Sequence, residues 1–247
     1  MRLRSMNSYK TTLDINSFCV DAKQRLSIPN LLGFLQEAAW HHANDNGYGW
    51  LDLKERHQFW VLSRFLIKIH RLPLWQEKIS IETWGKEPEQ LTAYRDFEIK
   101  DADNHLLIQA TSSWFILDAN SFRIQKMEDF ANGFPIWRDR HTLNEKPAKI
   151  GAVPFQTEFQ TAVVKYSDID MNQHVNNTKY IQWILDDLNP DILRQALIKE
   201  LEINFLNQLR LHAPYSIHHH QVSDLESIHS IRCEGTQKEV LRVRLKF

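Results

Sequence analysis

The stretch Tyr166-Ser167-Asp168-Ile169-Asp170-Met171-Asn172-Gln173-His174-Val175-Asn176-Asn177-Thr178-Lys179-Tyr180-Ile181-Gln182-Trp183-Ile184-Leu185 changes period half-way. Its first half alternates Asp170, Asn172 and His174 with Ile169, Met171 and Gln173. In an extended or loop segment, a period of two turns the three polar groups to one side. Its second half spaces Tyr180, Ile181, Ile184, Leu185 and Leu188 as one face of a helix. Asn176 or Asn177 is a natural N-cap, because a short amide oxygen accepts from the first-turn N–H groups. A carboxylate, an amide and an imidazole thus precede a helix N-terminus, whose partial positive charge favours a carbonyl oxygen turning negative.

His174 is the candidate general base, since its ordinary pKa lies near neutrality. Asn172 can donate to an oxyanion, and Asp170 can orient the imidazole, activate water or attack directly. The only Ser or Cys close by, Ser167, lies on the wrong side of Asp168, which favours water as nucleophile over a serine-type triad. The competing reading makes all three polar groups ordinary turn and capping residues with solvated side chains.

Outward from this motif, the chain divides into two similar halves. Thr11 to Val20 reads as a strand, and Ser27-Ile28-Pro29-Asn30 opens a helix carrying Leu31, Leu32, Phe34, Leu35, Ala38 and Ala39 on its apolar side. Gly47 and Gly49 mark its end. About five strands follow: Phe59–His70, Lys78–Gly85, Leu91–Lys100, Leu106–Asp118 and Phe122–Met127. Pro135–Pro154 is polar and proline-punctuated and reads as a linker, separating an N-terminal repeat (1–134) from a C-terminal one (155–247). The second half predicts a strand over Glu158–Tyr166, a helix over Thr178–Leu188, a short helix over Ile192–Glu200, and strands over Leu201–Gln208, Ala213–Val222, Ser227–Cys233 and Glu239–Phe247. A weak match of Asn30–Gln36 with Asn176–Gln182 supports duplication. Pattern alone gives an α+β duplication.

Composition narrows the classes. With 30 Lys+Arg against 31 Asp+Glu the net charge is −1, so there is no global signature of nucleic-acid binding. No apolar run is long enough to span a membrane, and Met1–Asn7 is followed by no apolar h-region, so the expected location is cytoplasmic. Cys19 and Cys233 show no metal-ligand spacing and read as reduced, buried thiols. His218-His219-His220 could suggest a metal, but strand neighbours face opposite ways, so a solvated strand is the preferred reading. No metal or cofactor is called for.

The string Asp170-Met171-Asn172-Gln173-His174-Val175-Asn176-Asn177-Thr178-Lys179-Tyr180-Ile181 closely resembles the D-x-N-Q-H-V-N-N-x-K-Y-I signature of acyl-[acyl carrier protein] thioesterases. Phe34–Ala43 looks like that family's first-helix segment, Trp60–Ile69 its W-V-x-x-R strand, and Trp75–Trp84 its tryptophan-bounded strand. Arg95-Asp96-Phe97, Ala110–Trp114 and Arg123–Lys126 match further segments. The resemblance implies two tandem hot-dog repeats, each a sheet wrapped around a long helix, packed as an internal pseudo-dimer. It implies catalysis in the second repeat by Asp170, Asn172 and His174, and an acyl-chain pocket in the first. Trp40, Trp60, Trp84 and Trp114 are candidates for its walls, against a plain core role.

The chain departs from the family at one point. An ungapped count from His174 puts the plant enzymes' further Glu at Gln208 and the following Cys at Leu209. Leu209 cannot be a nucleophile, and Gln208 cannot be a base but can hold water by hydrogen bonds. The expected reaction is hydrolysis of fatty acyl-[acyl carrier protein] to free fatty acid. Water held by Gln208 or Asp170 would attack, with His174 as base and then acid; Asn172 and a backbone N–H would steady the oxyanion. The expected partner is the acyl carrier protein, an acidic protein, for which Arg64, Lys68, Arg71, Lys179 and Arg194 are candidate contacts; the protein itself would be a monomer or homodimer. The alternatives are an acyl-CoA thioesterase and a non-catalytic acyl-binding hot-dog protein.

Overall fold

The structure is a computed structural model that describes residues 7–152, 154 and 160–247. The chain forms two compact units: the chain up to Ser27 with Leu31–Pro147, and Ile28–Asn30 with Ala148–Phe247.

In the first unit the elements are β1 (Ser8–Asp14), α1 (Ile28–Asp45), α2 (Trp50–Glu55), β2 (Gln58–Ile69), β3 (Lys78–Glu89), β4 (Thr92–Asp101), β5 (Leu106–Asp118) and α3 (Glu128–Gly133). The strands pair antiparallel in the order β1-β3-β4-β5-β2. Helix α1 buries Leu31, Leu32, Leu35, Ala38 and Ala39, the apolar stripe expected of it. It ends where Gly47 takes φ +77°, the left-handed conformation that glycine adopts without a Cβ clash. Arg95 of β4 fastens the helix to the sheet, donating to His42 Nδ1 (2.8 Å) and Thr83 Oγ1 (3.2 Å); burial pushes its pKa down to about 9.

The second unit repeats this plan with β6 (Gln160–Val163), α4 (Asn177–Asp187), α5 (Pro190–Gln195), β7 (Glu200–Phe205), β8 (Pro214–Ser223), β9 (Glu226–Cys233) and β10 (Glu239–Lys246). Its sheet order, β7-β10-β9-β8-β6, is that of the first unit read from the other edge. Helix α4 buries Tyr180, Ile181 and Ile184, and Trp183 stacks on Tyr215 of β8 at 4.1 Å.

Some expectations needed correction. Phe122–Met127 is not a strand: Asp118 caps a turn through Asn120 and Ser121, and only Ile124 bridges back to Leu117. Helices α2 and α3 went unread because each is too short to show a period. Ile192–Glu200 starts its helix earlier, at Pro190 behind the Asn189 cap, and stops at Gln195.

The proline-punctuated stretch is irregular but closely held. In the first unit, Thr142 N donates to Asp96 Oδ2 (2.9 Å), Trp84 Nε1 to Arg140 O (3.0 Å), and Arg140 forms ion pairs with Glu82 and Glu98 (2.9 Å each). In the second, Ala148 N donates to Glu202 (2.6 Å) and Ile150 N to Asn204 (2.9 Å). Buried side chains of the sheets thus supply the partners that the segment's backbone lacks.

The repeat register differs from the one that matches Asn30 with Asn176. Hydrogen bonds pair Asp21–Ser27 with Asp170–Asn176 instead. In one loop Asp21 N donates to Arg25 O (2.7 Å), Gln24 N to Asp21 O (2.9 Å), Lys23 N to Asp21 Oδ1 (2.8 Å) and Ser27 N to Cys19 O (2.9 Å). In the other Asp170 N donates to His174 O (2.8 Å), Gln173 N to Asp170 O (3.1 Å), Asn172 N to Asp170 Oδ1 (2.8 Å) and Asn176 N to Asp168 O (2.9 Å). Gln24 and Gln173 take the same left-handed turn, φ +58° and +63°. In this register Leu31, Leu32 and Leu35 fall on Tyr180, Ile181 and Ile184, all six fully buried. Asparagine identity misled because Asn176 caps its helix whereas Asn30 lies within one; loop geometry and burial set the register.

Candidate active site

The motif is a tight turn rather than an extended strand. Tyr166–Asp168 forms a single 3₁₀ turn, Ile169 bridges Val175, and Asp170–His174 folds back between them. Asp170 organises the turn: its Oδ1 accepts from Asn172 N and His174 N (2.8 and 3.4 Å), an Asx-type arrangement. Among the described residues Oδ2 has no hydrogen-bond partner. The Asn176 side chain caps α4, accepting from Thr178 N (2.9 Å) and Thr178 Oγ1 (2.8 Å).

A second segment holds the turn from beside it. Leu209 O accepts from Val175 N (3.0 Å), and Leu209 N donates to the Tyr180 phenol oxygen (2.9 Å). Leu209 is itself buried, so it acts here through its backbone and as core. Gln208, one residue before it, is exposed, as is Arg210 after it. The segment carrying Leu209 and Arg210 thus runs beside the motif, and no hydrogen bond joins Gln208 to the motif side chains among the described residues.

His174 is half-buried, and its pKa is lowered from the ordinary 6.5, first by burial and then by the Arg210 charge, with Asp170 pulling the other way. The imidazole is thus held deprotonated at neutral pH, as a base requires. Asn172 is exposed with its amide presented to solvent. The N–H groups of Asn172 to Asn176 are all donated within the fold, so none of these five is left to meet an oxyanion. Burial also raises the Tyr180 hydroxyl well above its usual range, keeping it neutral.

The four tryptophans lie in different surroundings. Trp60 and Trp114 pack edge-to-face, 6.4 Å apart, against a cluster containing Tyr48, Ile116, Phe130 and Phe134. Trp84 is fully buried under Arg140, whose guanidinium lies 3.8 Å from the ring centre. Trp40 is 45% exposed. His218 is not solvated: it is buried, with Nε2 2.8 Å from Ser216 Oγ, while His219 is exposed. Cys19 is buried as expected, whereas Cys233 is half-buried; both are free thiols. Of the basic candidates, Lys68, Arg71 and Arg194 are paired with Glu145, Glu77 and Asp191.

Two family models fall on this chain, the acyl-ACP thioesterase N-terminal domain over residues 6–132 and the C-terminal domain over 153–246. The chain belongs to the acyl-ACP thioesterase family. Its motif loop lies in the C-terminal domain of that family. Among solved structures, an acyl-ACP thioesterase from Bacteroides thetaiotaomicron superposes with a TM-score of 0.91 at 28% identity, covering 98% of both chains. A 12:0-ACP thioesterase from Umbellularia californica superposes with a TM-score of 0.85 at 22% identity, which bears on fold alone. The α+β double hot-dog expected from the sequence is thereby established. The chloroplastic oleoyl-acyl carrier protein thioesterase 2 of Arabidopsis thaliana is 27% identical over 80% of this chain, and the match spans 59% of the relative's length. No helix among the described residues is long and apolar enough to cross a membrane.

Proposed function

We propose that this acyl-ACP thioesterase-family chain hydrolyses the thioester of fatty acyl-[acyl carrier protein], releasing free fatty acid. The observation that carries the reading is the placing of His174, half-buried just ahead of α4 in a turn closed by Asp170 Oδ1, with no hydrogen-bond partner on Asp170 Oδ2 among the described residues; burial lowers the imidazole pKa. Water, held by Asp170 Oδ2 or the Gln208 amide, attacks the thioester carbon. His174 takes its proton and returns one to the departing thiolate, while the Asn172 amide steadies the oxyanion. The names of the plant relatives, which act on oleoyl- and palmitoyl-acyl carrier protein, support the substrate class. Trp60 and Trp114 are the better placed of the four tryptophans for a pocket wall, because Trp84 is enclosed and Trp40 faces outward. A cytoplasmic location rests on the sequence reading alone.

The test is thiol release from a panel of carrier-protein and CoA thioesters. Wild type should favour the carrier substrates, and His174→Ala should lower turnover roughly 10²–10⁴-fold, the usual worth of general acid–base catalysis. Preference for CoA would make the protein an acyl-CoA thioesterase. Unchanged turnover in His174→Ala would remove the assignment of the base.

A further inference from the structure

Each unit closes its loop onto a neighbouring segment with the same backbone bond. In the first, Leu26 N donates to Pro73 O (2.7 Å); in the second, Val175 N donates to Leu209 O (3.0 Å). The two bonds match in the register that pairs Asp21 with Asp170, so Pro73 stands for Leu209, Leu74 for Arg210 and Arg25 for His174. Arg25 and Leu74 meet in a β-bridge, so Arg210 takes the place opposite His174, and its charge acts on the imidazole.

The partner of the segment changes with it. Leu209 has an N–H, which donates to the Tyr180 phenol oxygen (2.9 Å). Pro73 has no N–H, and the residue at the Tyr180 position in the first unit is Leu31, which has no hydroxyl. Hydroxyl and N–H are present together or absent together, and Leu31 and Tyr180 are both fully buried. Exchanging both partners of a buried hydrogen bond for apolar groups is close to neutral, so stability alone does not demand the polar pair. What the pair adds is a fixed distance between α4 and the segment beside the motif.

The phenol is itself held in place. Its ring packs edge-to-face on Trp183 at 5.4 Å, and Trp183 stacks on Tyr215 of β8. Burial keeps the hydroxyl neutral, and Asp170 and Cys233 of β9 act in the same direction. From this oxygen the bonds run through Leu209 both ways, its N–H to Tyr180 and its carbonyl to Val175, the residue after His174. Leu209 is buried, whereas Gln208 and Arg210 on either side of it are exposed, so the tether at Leu209 sets where both begin.

We propose that Tyr180 is a positioning residue for the reaction: its hydroxyl anchors Leu209 and so holds Arg210 opposite His174. This rests on His174 as the base of the proposed hydrolysis and adds the residue that sets its electrostatic surroundings. The charged groups acting on the imidazole are Arg210 from the tethered segment and Asp170 from its own loop, while α4 contributes the neutral Tyr180. Arg210 disfavours the imidazolium, so releasing the segment lets the His174 pKa rise.

The experiment follows the His174 imidazole by NMR titration in wild type, Tyr180→Phe, Arg210→Gln and the double variant, its signals assigned by their loss in His174→Ala. Expected is an upward shift in Tyr180→Phe, in the direction of Arg210→Gln, with the double variant no higher than Arg210→Gln alone. The acid limb of kcat/KM for the carrier substrate should move up with it. An unmoved pKa in Tyr180→Phe, or shifts that simply add, would overturn the proposal, as would lost turnover with an unmoved limb. If Tyr180→Phe does not fold, replacing Leu209 by its α-hydroxy acid deletes the N–H and leaves both side chains. That replacement must give the same upward shift, and no shift overturns the proposal. If wild type releases no thiol from any carrier substrate, the proposed hydrolysis fails, and the role of Tyr180 is judged by the NMR titration alone.

Discussion

At the scale of single residues, the division of labour within Asp170 is the most informative feature. One oxygen closes the turn, and the other has no hydrogen-bond partner among the described residues. In the first copy Arg25 stands at the His174 position and places Nε and Nη2 on Asp21 Oδ2 (3.1 and 2.8 Å), so that oxygen is occupied. The same backbone turn is therefore compatible with a paired or an uncommitted carboxylate, depending on one side chain. The pH dependence follows from His174. Its pKa lies below 6.5, and a base works when deprotonated, so the acid limb of kcat/KM should fall below pH 6.5. Arg210→Gln removes a nearby positive charge that disfavours the imidazolium, and should move that limb upward in a pH–rate profile; burial, the larger cause, stays in place. An unmoved limb would mean that Arg210 does not act on His174.

At the scale of elements, the start of α4 depends on a single side chain. Asn176→Ala removes the acceptor for Thr178 N and Thr178 Oγ1, and should destabilise the protein by about 1 kcal/mol in urea unfolding. The backbone bonds of Asn176 N and Val175 N survive this change, so the loop should keep its place and activity should fall far less than in His174→Ala. The cap was legible in the sequence because it is local: an asparagine followed by a helical apolar stripe. The turn before it was only half legible. Alternation of Asp170, Asn172 and His174 suits an extended segment, but the left-handed Gln173 folds the chain back, and glutamine carries no signal for that conformation.

At the scale of the whole molecule, long polar segments are fixed by buried side chains from the sheets. Lys86 and Asp96 form an ion pair at 3.2 Å with almost no exposure, and the two also hold Leu143 O and Thr142 N. Lys86→Met should cost about 3–5 kcal/mol, because it leaves an uncompensated buried carboxylate. Arg138→Ala, at an exposed pair with Glu87, should cost under about 1 kcal/mol in the same thermal denaturation series. Similar losses in both would show that the Asp96 network does not anchor the segment.

The sequence by itself determined the elements that carry their own period or cap: the apolar stripes of α1 and α4, the long strands, and the Asn176 cap. It also determined the identity of the motif, because consecutive residues in one loop are a local pattern. What only the tertiary structure decided depends on partners distant in the chain. It buried His218 against Ser216, joined Leu209 to both Val175 and Tyr180, paired Lys68 and Arg71 with acids, and set the repeat register. A side chain's surroundings, its charge state and its pairing are properties of the folded neighbourhood, and no local pattern encodes them.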